Sequence, residues 1–212
     1  MTTIVNGDVS AYVPNPNYST KRVQVAQDFT VFEFDLGLPA GDLELLHRSL
    51  TKIINDHGDE QKRTTSVKAQ MTTWKMHDKY KGFKFIASCV ENILKDHFTK
   101  VSNLDLVTFV ATCWGGIYRK GDFTETHSHE PGFFNFVYYV KAEIDCAPLV
   151  FTDAGVSDMS RVYYPKTGTG IIFPGYIRHE VPIHNSNTER IMITGNIEGT
   201  GAVNYPERPF LR

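Results

Sequence analysis

Apolar positions recur at two different spacings along this chain, and the change falls near residue 104. Before it, Leu43, Leu46, Leu50, Ile53 and Ile54 share one face of a 3.6-residue repeat, which predicts an amphipathic helix. Asp42 is the expected N-cap, and Gly58 closes the segment. A second helical pattern covers roughly 80–98, with Phe83, Ile86, Val90, Ile93, Leu94 and His97 on one side. Ahead of both, VFEFDL alternates as a short strand does. Each helix has a single apolar face to bury, so both are expected to back onto a sheet.

Beyond Leu104 the pattern becomes extended. LDLVTFVATCW, FFNFVYYV, PLVF, RVYY, GIIFP and RIMITGNI are rich in β-branched and aromatic residues and are parted by Gly, Pro, Asp and Asn turns. Two helices followed by six or more short strands predict an α+β, mainly β fold, with helices packed outside a β-sandwich or barrel. Residues 1–22 carry Pro14, Pro16 and three asparagines and read as a polar arm. The expected organisation is one domain over 1–212: the arm, a helical support region over 23–100, and a β core over 101–200.

Bulk properties narrow the function class. A net charge of −2 and a pI near 6.4 argue against nucleic acid as a partner. The longest apolar run is too short to span a membrane, and the N-terminus lacks the charged and apolar regions of a signal peptide. Cys89, Cys113 and Cys146 are odd in number and far apart, so they read as small buried hydrophobes in a reducing compartment. The expected location is cytoplasmic. Nothing bears on oligomeric state.

The chemistry concentrates in histidines. His127 and His129 stand one residue apart before the aromatic strand, and on a strand that spacing presents two imidazoles on one face. The pair is read either as two metal ligands or as two surface histidines beside a Glu-Pro-Gly turn. His179 follows a Pro-Gly corner in GTGIIFPGYIRHEVPIH, on a distant strand that a jelly roll would bring to the first pair. His184, after Pro182 and beside HNSNTER, is expected to face solvent. His47, His57, His77 and His97 lie on or beside helices without a paired partner and read as structural.

Alternation over RIMITGN puts Arg190, Met192, Thr194 and Asn196 on one face and Ile191, Ile193 and Ile197 on the other. If the isoleucines pack on the helices, Arg190 points into the barrel. There it needs either an anionic ligand or an unseen internal carboxylate. Asn135, Val137 and Tyr139 share a face in the same way, and Tyr139 with Arg190 supplies two donors for one carboxylate.

These residues carry a resemblance. Tyr118 and Gly121 followed by His127-Ser-His129, then VYYV at 137–140, then GIIFPGYIRHEVP, then RIMITGN, resemble the iron(II)- and 2-oxoglutarate-dependent oxygenases, in particular their prolyl-hydroxylase-like branch and its phage and bacterial members. The resemblance covers about 104–197 and implies a double-stranded β-helix, or jelly roll. It implies Fe(II) on His127, His129 and His179, which would be the catalytic centre. It implies 2-oxoglutarate held at its distal carboxylate by Tyr139 and Arg190, with Tyr118 near the iron-binding end. Asn196 or Thr194 would orient Arg190. Ascorbate would be an auxiliary reductant. The implied activity is hydroxylation of an amino-acid or peptidyl, prolyl-like substrate with release of succinate and CO2; small molecules remain open as partners. The family's usual carboxylate ligand is replaced by His129, with Glu125 and Glu130 nearby as other oxygen donors. The loop 146–161 and the N-terminal arm are the expected substrate lid.

Two alternatives stay open. Cupins also use a jelly roll and an HxH pair, and Gly121-x5-His127-x-His129 and Gly168-x5-Pro174-x4-His179 fit their spacings. Phe133 and Phe134 stand where cupins place a glutamate, and cupins give no account of Arg190 with Tyr139. A non-catalytic jelly-roll binding or structural protein would leave the histidines incidental or holding a structural metal.

Overall fold

The computed structural model describes residues 19–24, 30–58, 65–102, 107–152 and 161–200. Its elements are β1 (Thr20–Gln24), β2 (Thr30–Asp35), α1 (Ala40–His57), β3 (Val67–Lys68), β4 (Gln70–Met71), α2 (Met76–Lys79), α3 (Lys81–Ser102), β5 (Val107–Tyr118), β6 (Phe123–His127), β7 (Phe134–Lys141), β8 (Leu149–Phe151), β9 (Arg161–Tyr163), β10 (Thr169–Pro174), β11 (His179–Val181) and β12 (Arg190–Thr200). They form two antiparallel sheets: seven strands in the order β1-β2-β10-β7-β12-β5-β4, and five in the order β3-β6-β11-β8-β9. This is the double-stranded β-helix, with the helices on the outer face of the larger sheet.

Side-chain alternation explains the layering. On β7, Phe134, Phe136 and Tyr138 pack with Leu46, Leu50, Phe83 and Val90 of the helices; Val137 and Tyr139 pack between the sheets with Phe151, Phe173 and Met192. On β12, Ile191, Ile193 and Ile197 join the helix layer and Met192 the inner one, as the alternation requires. Burying Leu50, Phe83 or Phe136 completely contributes about 1.5–3 kcal/mol each. That apolar load fixes which face of each strand looks inward.

Several details depart from the periodicity. The first helix starts two residues before Asp42, at Ala40 with Pro39 as N-cap, and Asp42 sits in its first turn, where its charge suits the helix dipole. Residues 20–22 of the expected arm belong to β1, paired with β2; residues 1–18 lie outside the described residues, as do 153–160 of the expected lid loop. The remainder of that loop includes β8. The three cysteines are free and buried. Among the described residues no helix is long and apolar enough to cross a membrane.

Candidate active site

The smaller sheet assembles the histidines. His127 is the last residue of β6 and pairs directly with His179, the first of β11. His129 lies past the strand end, so the two do not share a strand face; the backbone N–H of His129 donates to the Gly175 carbonyl at 2.8 Å instead. Gly175 has to be small, since a Cβ there would lie 2.2 Å from the Gly132 carbonyl oxygen. The result is a compact triad, with ring centroids 4.8 Å apart for His127–His129, 4.4 Å for His127–His179 and 5.2 Å for His129–His179. One nitrogen from each ring lies within 4.8 Å of the others. No carboxylate joins this group among the described residues; Glu125 is instead 3.4 Å from the Lys68 ammonium.

Two of the rings have fixed orientations. Nδ1–H of His127 donates to the Glu125 carbonyl at 2.8 Å, and Nδ1–H of His179 to the Ile177 carbonyl at 3.0 Å. Each bond fixes the tautomer and turns a bare Nε2 towards the common centre, the usual arrangement of a metal-binding imidazole. Burial lowers the pKa of all three, to about 4 for His129 and about 3 for His179. Positive charge on His127 adds to the effect on both. Neutral imidazole is the form that binds a cation.

Arg190 lies between the sheets and is 1% exposed. The β12–β5 register pairs it with Tyr118, whose ring centroid is 4.7 Å from the guanidinium carbon; the Tyr139 ring is 5.1 Å away. Tyr118 therefore flanks the cation, and its hydroxyl is 2.6 Å from that of Thr124 on β6. Burial raises the pKa of both phenols, and the nearby guanidinium partly offsets this. Nε and Nη1 of Arg190 and the Tyr139 hydroxyl have no hydrogen-bond partner, and no carboxylate pairs with Arg190 among the described residues. A buried cation in that condition fits a ligand carboxylate.

The expected orienting role of Asn196 and Thr194 fails on distance. Asn196 is six residues from Arg190 on β12, about 20 Å at the rise of a strand, beyond the summed reach of the two side chains. The Thr194 hydroxyl donates to the Phe136 carbonyl. Asn196 instead faces Asn135 across β12 and β7, near Phe173, which packs edge-on against His179 at 4.9 Å. His184 is buried rather than solvent-facing. Its Nδ1 accepts from the Ala147 N–H at 3.2 Å, and Nε2–H donates to the Thr188 carbonyl at 2.7 Å. Two inward residues went unread in the sequence, Trp114 and Thr124. Trp114 stands four residues before Tyr118 on β5, a spacing that puts both on one face.

The donor chemistry fits a divalent iron-type ion on three imidazoles and a dicarboxylate reaching Arg190. Residues 112–196 match the family described as "Putative 2OG-Fe(II) oxygenase". The viral collagen prolyl hydroxylase of Paramecium Bursaria Chlorella virus-1, solved with 2-oxoglutarate, is 15% identical, with a TM-score of 0.57 over 79% of this chain and 94% of its own. A Pseudomonas putida prolyl-4-hydroxylase is 17% identical, with a TM-score of 0.58 over 87% and 93%. HygX of Streptomyces hygroscopicus, solved with nickel, 2-oxoglutarate and hygromycin B, is 10% identical, with a TM-score of 0.58 over 80% and 83%. No curated protein matches in sequence.

Proposed function

From the match of residues 112–196 to the 2OG-Fe(II) oxygenase family model, we propose that the protein hydroxylates an amino-acid or peptidyl substrate at the expense of 2-oxoglutarate and O2, with His127, His129 and His179 as the metal ligands. The observation that carries the reading is the pairing of two incomplete groups inside one barrel. Three imidazoles whose pKa burial lowers converge on one point; a buried guanidinium, with no carboxylate paired to it among the described residues, stands between the sheets. When bound, Fe(II) with 2-oxoglutarate would supply the oxidation of an unactivated C–H bond with O2 as the oxidant, one oxygen atom entering the substrate and the other the succinate formed as CO2 is released.

The chain's own residues supply binding and position. Nε2 of His127 and of His179 would face the ion, with the Glu125 and Ile177 carbonyls holding the opposite nitrogens, and His129 would supply the third imidazole nitrogen. Nε–H and Nη1–H of Arg190 donate to the far carboxylate of the keto acid, with the Tyr139 hydroxyl as a further donor. The Tyr118 and Tyr139 rings lie within 4.7 and 5.1 Å of the guanidinium carbon, and Thr124 holds the Tyr118 hydroxyl. Phe151, Ile171 and Phe173 line the interior and keep water from the reacting groups. The prolyl hydroxylases among the similar structures support a peptidyl or prolyl substrate.

The test is an anaerobic titration of the Fe(II)-loaded protein with 2-oxoglutarate, followed by the weak visible charge-transfer band of a metal-chelated keto acid. A saturable band is expected, absent in His179→Ala and shifted to far higher 2-oxoglutarate in Arg190→Met. Confirmed iron binding without any band would overturn the reading.

A further inference from the structure

Thr124 and His127 both look into the barrel, yet they stand three residues apart on β6. Thr124 is 5% exposed, and its hydroxyl meets that of Tyr118, whose ring lies against Arg190. The His127 ring lies 4.4 Å from that of His179. On a regular strand, residues at a spacing of three point to opposite faces. The register accounts for the exception. Thr124 pairs with Val181 and His127 with His179, so Glu125 and Thr126 together oppose the single residue Glu180. This is a β-bulge, which adds a residue to one strand and re-aims the side chains beyond it. It lets one short strand serve two ends of the interior, with Thr124 at the Arg190 end and His127 at the triad.

A bulge takes backbone groups out of the ladder, and those of Glu125 are put to use. Its N–H donates to the Ser66 carbonyl at 3.0 Å, and its carbonyl accepts Nδ1–H of His127 at 2.8 Å. Side chains close the bulge from both flanks. On the β3 flank the Lys68 ammonium is 3.4 Å from the Glu125 carboxylate, an exposed pair that adds little. On the β11 flank the Thr126 hydroxyl donates to the Glu180 carboxylate directly across the bulge, and both residues are half-buried. Neither faces the triad. His179 and Val181 point inward on either side of Glu180, which therefore points outward. Without this tie β6 has a competing register that takes up the extra residue. A slip of one residue turns each following side chain to the other face, His127 included.

We propose that Thr126 and Glu180 are positioning residues of the metal centre: their hydrogen bond closes the β6 bulge, holds the Glu125 carbonyl behind His127, and so keeps that imidazole turned inward. The inference rests on the metal-ligand reading above and names what fixes one of the ligands.

The experiment measures Ni(II) affinity by competition with a chromophoric chelator and records the visible spectrum of the protein saturated with Co(II). Thr126→Val keeps the shape of the side chain and removes the hydroxyl. It and Glu180→Val should each bind Ni(II) about tenfold more weakly, the low end of the range for groups behind a metal-bound histidine. The double variant should lose no more than either single one, since all three remove the same bond. Thr126→Ser restores the hydroxyl and with it the parent's affinity. Glu180→Gln removes the charge but keeps an acceptor, and should lose less than Glu180→Val. The Co(II) spectrum of Thr126→Val should move towards that of His127→Ala, whereas a general loosening of the fold leaves the spectrum of the loaded protein unchanged. Where Thr126→Val does not fold, Glu180→Val reads the same bond from the other side. Parent-like affinity in the valine variants, losses that multiply in the double variant, or equal losses in Glu180→Gln and Glu180→Val overturn the inference and leave the triad standing as the metal site. A parent protein that binds no Ni(II) defeats the metal-ligand reading as well.

Discussion

Replacing Arg190 with methionine tests whether the buried guanidinium exists for a ligand. Methionine keeps most of the side-chain length and removes the charge. In the free protein the guanidinium is 1% exposed, with Nε and Nη1 unbonded, and burying an ion costs several kcal/mol even after relaxation. The rings of Tyr118 and Tyr139, at 4.7 and 5.1 Å, return about 0.5–2 kcal/mol each. The net effect of Arg190→Met on the ligand-free protein is therefore a gain of about 2 kcal/mol. At about 2–4 °C per kcal/mol for a chain of this size, its Tm rises by about 4–8 °C.

The ligand response moves the other way. With Ni(II) as a redox-inert occupant of the triad, 2-oxoglutarate at 100 times its Kd stabilises the parent protein by about 2.7 kcal/mol. Losing a buried charge-paired contact costs about 3 kcal/mol, or about 160-fold in Kd. The same concentration then stabilises the variant by only about 0.3 kcal/mol, roughly 1 °C. Thermal unfolding with and without 2-oxoglutarate reads both numbers in one experiment. A variant that melts well below the parent without ligand, or that keeps a 2-oxoglutarate shift of several degrees, refutes the assignment of Arg190 to an anionic ligand.

Two further outcomes follow from the triad. His179, 5% exposed, has its pKa lowered by burial to about 3, against about 6.5 in the unfolded chain. The unfolded state then takes up the proton first, so the contribution of His179 is fully present above pH 6.5 and is lost as pH falls towards 3. At pH 5 the loss is about 2 kcal/mol, and urea unfolding of the metal-free protein at pH 7.5 and pH 5 should show it; His179→Gln should flatten that slope. Separately, Gly175→Ala puts a Cβ 2.2 Å from the Gly132 carbonyl oxygen, at the point where the His129 N–H is held. It should destabilise the fold by about 1–3 kcal/mol and weaken Ni(II) binding, whereas Gly41→Ala, with nothing within 4 Å, should do neither.

What the sequence revealed of this site, and what it hid, divides along local and non-local causes. Period-two alternation is local, and it sorted β7 and β12 correctly: Tyr139 and Arg190 inward, Phe136 and Ile193 towards the helices. Long amphipathic helices were equally legible, apart from a start two residues earlier than Asp42 suggested. The short strands β3, β4, β6 and β11 have only two to five residues, too few for a period; they exist because a partner strand pairs with them. His184 shows the same limit. Its polar neighbours suggested solvent, but its partner on one side is the Ala147 N–H, 37 residues away in sequence.

The histidine pair was identified for a reason that the structure replaces. Two residues on one strand face would have made the ligands a property of β6 alone. Instead His127 ends the strand, and His129 is held by Gly175 from the turn between β10 and β11, the same connection that carries His179. That turn therefore positions two of the three imidazoles. Because β10 also pairs with β7 through Phe173 and Asn135, a displacement of the turn moves the triad and the Asn135 row together. The triad and the Asn135 row are thus coupled through one short connection, while Arg190 and Tyr118 are fixed independently by the β5–β12 register. A substitution in the turn should disturb metal binding while leaving the Arg190 cradle, and with it the response to 2-oxoglutarate's far carboxylate, formed. This is the combination that Gly175→Ala isolates.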